Sequence, residues 1–374
     1  MKLSILKENL LKGLNVVSRA TSKSITLPIL NNVLLSTEKN FLKISATDLE
    51  LGVQYWVLSK TEKEGSITIP AKFLTSLINL IPDEKINLKT KGDTLFIEGK
   101  NYKNEVKGLS SDDFPIIPEV KDGQVLEVNS SKLAGGFSQI VNTASTSQTR
   151  PEISGVYMSL DKKILEMAAT DSFRLAEKSV PIKSSFDKNI SLIVLQKAIR
   201  EFVGIFGEDQ GAVKIYFSPN QIMFESSMKE VSHPKIRMTS RLIEGEYPNY
   251  KEVIPSGFET KMILEKQEFL NRIKAASLFS NKINEVNLNV KPDKGFVEIF
   301  SQNSDLGESK AQMKAEIEGE EVKTSFNYRF IIDGISNIEG KKVILEMNGE
   351  EGPGVLKPLQ DENFLYVVMP IKSN

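Results

Sequence analysis

The chain is written three times over. The run Leu42-Lys43-Ile44-Ser45-Ala46-Thr47-Asp48-Leu49-Glu50 returns from residue 165 as Leu165-Glu166-Met167-Ala168-Ala169-Thr170-Asp171-Ser172, with a fainter third copy in Val297-Glu298-Ile299-Phe300-Ser301-Gln302-Asn303. Asn32-Val33-Leu34-Leu35 aligns in the same way with Gly155-Val156-Tyr157-Met158 and with Glu285-Val286-Asn287-Leu288. A period of about 125 residues is far too long for a solenoid and has the size of a whole domain. The 374 residues therefore read as a tandemly repeated α+β domain occupying 1–121, 122–252 and 253–374, with joints in Pro-, Gly- and Lys-rich stretches.

Each third keeps one order of parts. An amphipathic helix comes first, then two alternating strands meeting near the Thr-Asp turn, then a second helix at Pro70–Leu80, Leu195–Phe206 and Asn327–Ile338, then more strands. The first helices should bury Leu6, Leu10, Leu14 and Val17; Leu133, Phe137, Ile140 and Ala144; and Phe269, Ile273 and Ala276, with Gln139 turned away from the core. The second helices should bury Phe73, Leu77 and Leu80; Leu195, Ile199 and Val203; and Ile331, Ile335 and Ile338. Six helical segments (5–23, 70–80, 130–145, 195–206, 265–282, 327–338) sum to +8, so a chain whose net charge is −1 carries −9 elsewhere. Were the helices to line one surface, it would be a basic track whose phosphate contacts are salt-sensitive and blind to base sequence.

Other chemistry finds little support. With no cysteine and one histidine, His233, there are no disulfides, thiolate metal sites or imidazole relays, and His233 fits a surface strand or turn. Gly349-Glu350-Glu351-Gly352-Pro353-Gly354 is acidic and lacks the Lys-Ser/Thr of a phosphate loop, so it reads as a turn. Asp112 and Asp113 are adjacent and point apart, while Asp48 and Asp171 fit turn caps better than general bases. No apolar run spans a bilayer, and charges interrupt the start MKLSILKENLLKG, so a cytoplasmic protein without signal peptide is expected. Two alternatives stay open: a nucleic-acid enzyme with acidic metal ligands, and a monomeric DNA-binding scaffold.

Thr26-Leu27-Pro28-Ile29-Leu30, Ala46-Thr47-Asp48-Leu49-Glu50, Ala169-Thr170-Asp171-Ser172-Phe173-Arg174-Leu175-Ala176, Arg241-Leu242-Ile243-Glu244-Gly245-Glu246-Tyr247-Pro248-Asn249-Tyr250 and Tyr366-Val367-Val368-Met369-Pro370-Ile371 stand in an order and spacing that resemble the beta sliding clamps of bacterial DNA polymerase III along essentially the whole chain. The resemblance implies three clamp domains, each of two helices on antiparallel sheets, and a ring-shaped head-to-tail dimer around double-stranded DNA. That ring tethers the replicative polymerase, carries no catalytic site, cofactor or metal, and also serves the clamp loader and repair polymerases. DNA-facing residues would be Lys12, Arg19, Lys23, Lys72, Lys132, Gln148, Arg150, Lys197, Arg200, Arg272 and Lys274, and the dimer interface would include Lys72, Val106 and Leu278. A pocket for short linear motifs would comprise Ile153, Thr170, Ser172, Phe173, Arg174, Leu175, Pro248, Val253, Asn327, Phe330, Val367, Val368, Met369, Pro370 and Ile371. The chain departs from the family pattern at Phe173, where many relatives have histidine, at Phe330, where tyrosine is common, and at Glu252, where some carry a basic residue. Its peptide preference is thereby left open.

Overall fold

Strand alternation sets the architecture. Glu285–Lys291 shows the rule, with Val286, Leu288 and Val290 fully buried and the intervening residues half-exposed. The computed structural model describes residues 1–120, 124–147, 149–161, 163–182 and 189–372. The helices are α1 (Lys7–Val17), α2 (Ala71–Leu80), α3 (Ser130–Ile140), α4 (Gln196–Phe206), α5 (Lys266–Ser277) and α6 (Tyr328–Asn337). Two compact units emerge, Met1–Ser131 with Gly204–Leu242, and Lys132–Val203 with Ile243–Asn374.

The three repeats share one element order: strand, helix, three strands, a further strand leading into the second helix, and three closing strands. A short additional strand is inserted before the lead-in strand in the first and third repeats. The opening strands Lys2–Leu6, Gln124–Asn129 and Thr260–Glu265 run straight into their helices. Leu6, expected on the buried stripe of the first helix, instead ends the opening strand and is exposed. The expected joint at 121/122 lies outside the described residues, and the one at 252/253 falls in the short 3-10 turn Tyr250–Val253.

Every repeat divides its strands between two half-sheets, and neighbouring repeats share one sheet. In the first unit an eight-stranded sheet joins Leu51–Leu58 of the first repeat to Pro234–Arg241, the last strand of the second, with Tyr55 opposite Ile236 and Val53 opposite Met238. In the second unit a nine-stranded sheet joins Arg174–Pro181 of the second repeat to Phe364–Val368, the last strand of the third, with Arg174 opposite Val368 and Ala176 opposite Tyr366. The joint is thus always the third strand of one half-sheet on the last strand of the next repeat. Two equivalents lack that partner: Lys103–Lys107, at one edge of a five-stranded sheet, and Gly307–Lys314, at one edge of a four-stranded sheet.

The helices pack on these sheets by recurring bonds. The first-residue amides of α1, α3 and α5 donate to the carbonyls of Glu84, Gly211 and Lys341 at 2.8, 2.9 and 2.8 Å. Their side chains cap the second helix of the repeat: Lys7 Nζ donates to the Ile81 carbonyl (2.8 Å), Ser130 Oγ to that of Phe206 (2.9 Å) and Lys266 Nζ to that of Ile338. A cation here satisfies an orphan carbonyl and complements the negative end of the helix dipole. Leu10, Leu14 and Val17 of α1 are fully buried, each worth about 1.5–3 kcal/mol.

Two second helices bury a different stripe from the expected one. α2 buries Ala71, Leu74 and Ile78 and leaves Phe73 (56 % exposed) and Leu80 (76 %) in solvent, with Leu77 between. α4 buries Ala198, Ile199, Phe202 and Phe206, while Leu195 and Val203 are half-buried. Both helices are apolar on more than one face, so periodicity alone admits two stripes. The Ile331, Ile335 and Ile338 stripe of α6 is buried as expected. Gln139 of α3 is buried rather than exposed, because its amide donates to the Asn337 carbonyl (2.9 Å) at the end of α6.

Candidate functional site

The Thr-Asp motif builds a turn. Asp171 Oδ1 accepts from the backbone amides of Phe173 and Arg174 (3.0 and 3.1 Å), and the Ser172 amide donates to Thr170 Oγ1 (3.1 Å). Asp48 and Thr47 hold Leu49, Glu50 and Leu51 in the same way, and Asn303 substitutes in the third repeat. Ser172 and Leu49 both adopt the left-handed region, φ 78° and 79°. These carboxylates are engaged with backbone amides, which is the work of a turn cap. In the second repeat the turn also presents exposed Phe173 and turns Arg174 inward.

Arg174 organises its surroundings. Its Nε donates to Asp171 (2.9 Å), its Nη1 to Asp333 of α6 (2.5 Å) and to the Tyr366 hydroxyl (3.3 Å), and its Nη2 to the Asn142 carbonyl (3.3 Å). The guanidinium lies over the Phe330 ring, 4.6 Å from its centroid. Burial alone would weaken the charged form, but the surrounding acceptors outweigh it and hold Arg174 protonated.

Beside this network a cleft of about 260 Å³ opens on the second unit. Nine of the expected pocket residues line it, namely Ile153, Thr170, Ser172, Arg174, Leu175, Pro248, Val253, Val367 and Met369, together with Arg150, Asn249 and Tyr250. Its floor is rigid: Ile153, Leu175, Tyr250 and Val367 belong to one buried cluster with Ile193, Tyr247 and Val355, and Tyr157 stacks on Tyr247 at 4.9 Å. Burial raises the phenol of Tyr247, and burial with the nearby Glu177 carboxylate raises that of Tyr250, so both stay neutral. At the wall, the Met369 amide donates to the Phe173 carbonyl of the turn (2.9 Å), and the thioether side chain is the most deformable in the lining.

The other six expected pocket residues are not in the lining. Phe173 stands at the turn, Phe330 lies under Arg174, and Asn327 caps α6 by accepting from the Arg329 amide (3.0 Å). Val368 is buried in its sheet, and Pro370 and Ile371 continue from Met369 with the Ile371 amide on the Ser325 carbonyl (2.7 Å). Arg150, expected among the DNA-facing residues, lines the cleft, held by Glu152 (3.0 Å) and Ser172 Oγ (2.9 Å). Its place beside the turn left no mark in the local sequence.

Lys12, Lys72, Lys132, Lys197, Arg200, Arg272 and Lys274 are exposed on helices, and Arg19 and Lys23 are exposed in the segment after α1. Gln148 lies outside the described residues. Lys7 and Lys266, counted in the +8, are taken up as caps, so part of that excess is structural. Of the expected interface residues, Lys72 and Leu278 are exposed, whereas Val106 is 5 % exposed and offers a partner only its backbone on the sheet edge.

A larger groove of about 710 Å³ lies on the first unit beside Trp56. Lys12, Lys214, Lys229 and Lys235 share its lining with Glu127, Asp209, Glu225 and Glu230, so its charge is mixed. Nearby His233 stacks on Phe41 (4.2 Å) and donates from Nδ1 to the Pro234 carbonyl (2.7 Å), a packing role in the turn before its strand. Gly349, at φ 68°, turns the chain between Lys342–Met347 and Gly354–Pro358. Among the described residues no three His, Asp or Glu side chains gather as a metal site, and no helix is long and apolar enough to cross a membrane.

Comparison with known proteins matches residues 1–118, 127–249 and 251–372 to the N-terminal, central and C-terminal domains of the DNA polymerase III beta subunit. The beta sliding clamp of Synechocystis sp. is 29 % identical over 395 residues, covering 100 % of this chain and 99 % of the relative. That of Staphylococcus epidermidis is 27 % identical over 384 residues, covering both chains completely. Among solved structures, the DNA polymerase sliding clamp of Bacillus subtilis superposes with a TM-score of 0.93 at 25 % identity over the whole of both chains. The sliding clamp of Pseudomonas aeruginosa bound to griselimycin has the same fold, with a TM-score of 0.93 at 24 % identity and full coverage of both. With all three domains matched in order, the chain belongs to the family of bacterial DNA polymerase III beta subunits, the beta sliding clamps.

Proposed function

We propose that two copies of this chain close head to tail into a ring around double-stranded DNA and tether the replicative polymerase there. The observation that carries the ring is the pattern of sheet joints. Each internal joint sets the third strand of one half-sheet against the last strand of the next repeat, and the strands left over are the last of the first repeat, Lys103–Lys107, and the third of the last, Gly307–Lys314. Repeating the joint between copies places the third repeat of one chain against the first of the other and removes both open edges. The repeats are assigned to 1–121, 122–252 and 253–374.

A topological link needs only weak, sequence-blind phosphate contacts, for which exposed Lys12, Lys72, Lys132, Lys197, Arg200, Arg272 and Lys274, with Arg19 and Lys23, supply positive charge. Tethering raises the local concentration of polymerase at the primer end without any chemistry by the clamp, which works in the cytoplasm. The cleft on the second unit docks short apolar segments of the polymerase, clamp loader and repair polymerases. Its floor of Leu175, Val367 and Ile153 is preformed, and Met369 can adapt to several partners.

Removing residues from Met369 onward takes away one wall while Val367 and Val368 still hold the sheet, and Leu175→Asp puts a charge in the floor, at about 1–3 kcal/mol or more. Both variants should stay folded and lose peptide binding by calorimetry together with polymerase stimulation. Unchanged affinity in folded variants would place docking elsewhere.

A further inference from the structure

The cleft has one lip unlike the rest of its rim. A Cβ on Gly245 would meet the Cβ of Glu152, in the 3-10 turn Pro151–Ile153, at 3.6 Å; Gly245 is flanked by Glu244 and Glu246, and the same segment continues through Pro248 and Asn249 of the lining to Glu252. Glu152 is matched by Arg150 at 3.0 Å. Lys251, the one cation in the segment from 243 to 253, is committed elsewhere, to Glu166 (3.1 Å) and Glu177 (2.6 Å). Glu252 accepts from the neutral amide of Asn249 (2.7 Å). Among the described residues no ion pair compensates Glu244, Glu246 or Glu252, and all three are exposed. Beyond Met369 the balance reverses: the tail pinned at Ser325 and the start of α6 present Lys372 and Arg329, both exposed.

We propose that this cleft selects partner segments whose apolar anchor carries lysine or arginine on the flank lying over the Glu244–Glu246–Glu252 lip, and discriminates against acidic residues there. The inference rests on the reading of the cleft as the peptide dock and names the chemistry of its ligand. The apolar floor holds the anchor with little regard to charge, whereas charges on an exposed lip act on a flanking residue over about a Debye length, roughly 10 Å at 0.1 M salt. Three uncompensated carboxylates therefore act together on a cationic flank, and selectivity is their joint effect.

The test uses the full-length protein and synthetic peptides sharing one Leu-Phe anchor, with three lysines or three glutamates placed on the amino or the carboxyl side, titrated by fluorescence anisotropy. In one of the two placements the lysine peptide should bind about tenfold tighter than its glutamate counterpart at low salt. That margin should shrink at about 0.5 M salt, where screening is nearly complete, and vanish in the double variant Glu246→Lys, Glu252→Lys. Equal affinities in both placements, or a margin untouched by that variant, would overturn the charge preference while leaving the dock in place. Binding that survives Leu175→Asp, or no binding by any peptide, would instead overturn the dock itself.

Discussion

Gly334 of α6 faces the ring of Tyr366. A Cβ there would stand 2.6 Å from Cδ1 and 2.7 Å from Cε1 of that ring, and 2.8 Å from Cδ1 of Leu356. Alanine would gain about 1 kcal/mol of helix propensity, but the overlap is with a fully buried ring that cannot swing away, and overpacking costs about 1–3 kcal/mol. Gly334→Ala should lower the unfolding midpoint, and peptide affinity with it, since Tyr366 and Asp333 both hold Arg174. A raised midpoint would contradict this packing account. At this scale the sequence is legible where a motif recurs: the Thr-Asp turns were readable because Asp48 and Asp171 occupy equivalent places. Arg150 was not, since nothing within a few residues reports that it meets Ser172 of another turn.

Among the elements, the second helices were readable to within a residue or two, whereas α1, α3 and α5 end at Val17, Ile140 and Ser277, five or six residues before the expected segments do; buried faces were readable only in part. In α6 the Ile331, Ile335 and Ile338 face is the buried one as read, whereas in α2 Phe73 and Leu80 compete with Leu74 and Ile78, and packing decides. The shared sheets were not legible at all, because pairs such as Tyr55 with Ile236 join strands far apart in sequence and leave no local periodicity. The joint in the second unit carries an ion pair, Lys178 Nζ to Asp361 Oδ2 at 2.5 Å. Burial pushes the Asp361 carboxyl up, but Lys178 and the Asn363 donors outweigh it and hold it below its ordinary value of 3.8. A depressed carboxylate contributes stability above its unfolded pKa that is lost as pH falls through the folded one. Asp361→Asn should therefore lower stability at neutral pH and flatten its loss below about pH 4. An acid limb identical to that of the parent in urea titrations would remove the pair from the account.

At the level of the whole molecule, charge composition overstated the basic track, because Lys7 and Lys266 cap helices, while the sheet joints supply a geometric reason for closure that composition could not. Leu278, 72 % exposed just beyond α5, is one of the exposed apolar side chains and the one assigned to the proposed contact between copies. Leu278→Asp should convert a particle of two chains into a folded monomer in equilibrium sedimentation, and an unchanged mass would exclude it from the interface. A ring of two such chains would be linked to DNA by topology, and the decisive measurement loads the protein onto a nicked circular duplex with a clamp loader, cuts the circle once, and reads what remains bound after gel filtration. A topological link gives retention on the intact circle and loss from the linear product at the same salt concentration; equal retention on both would rule it out.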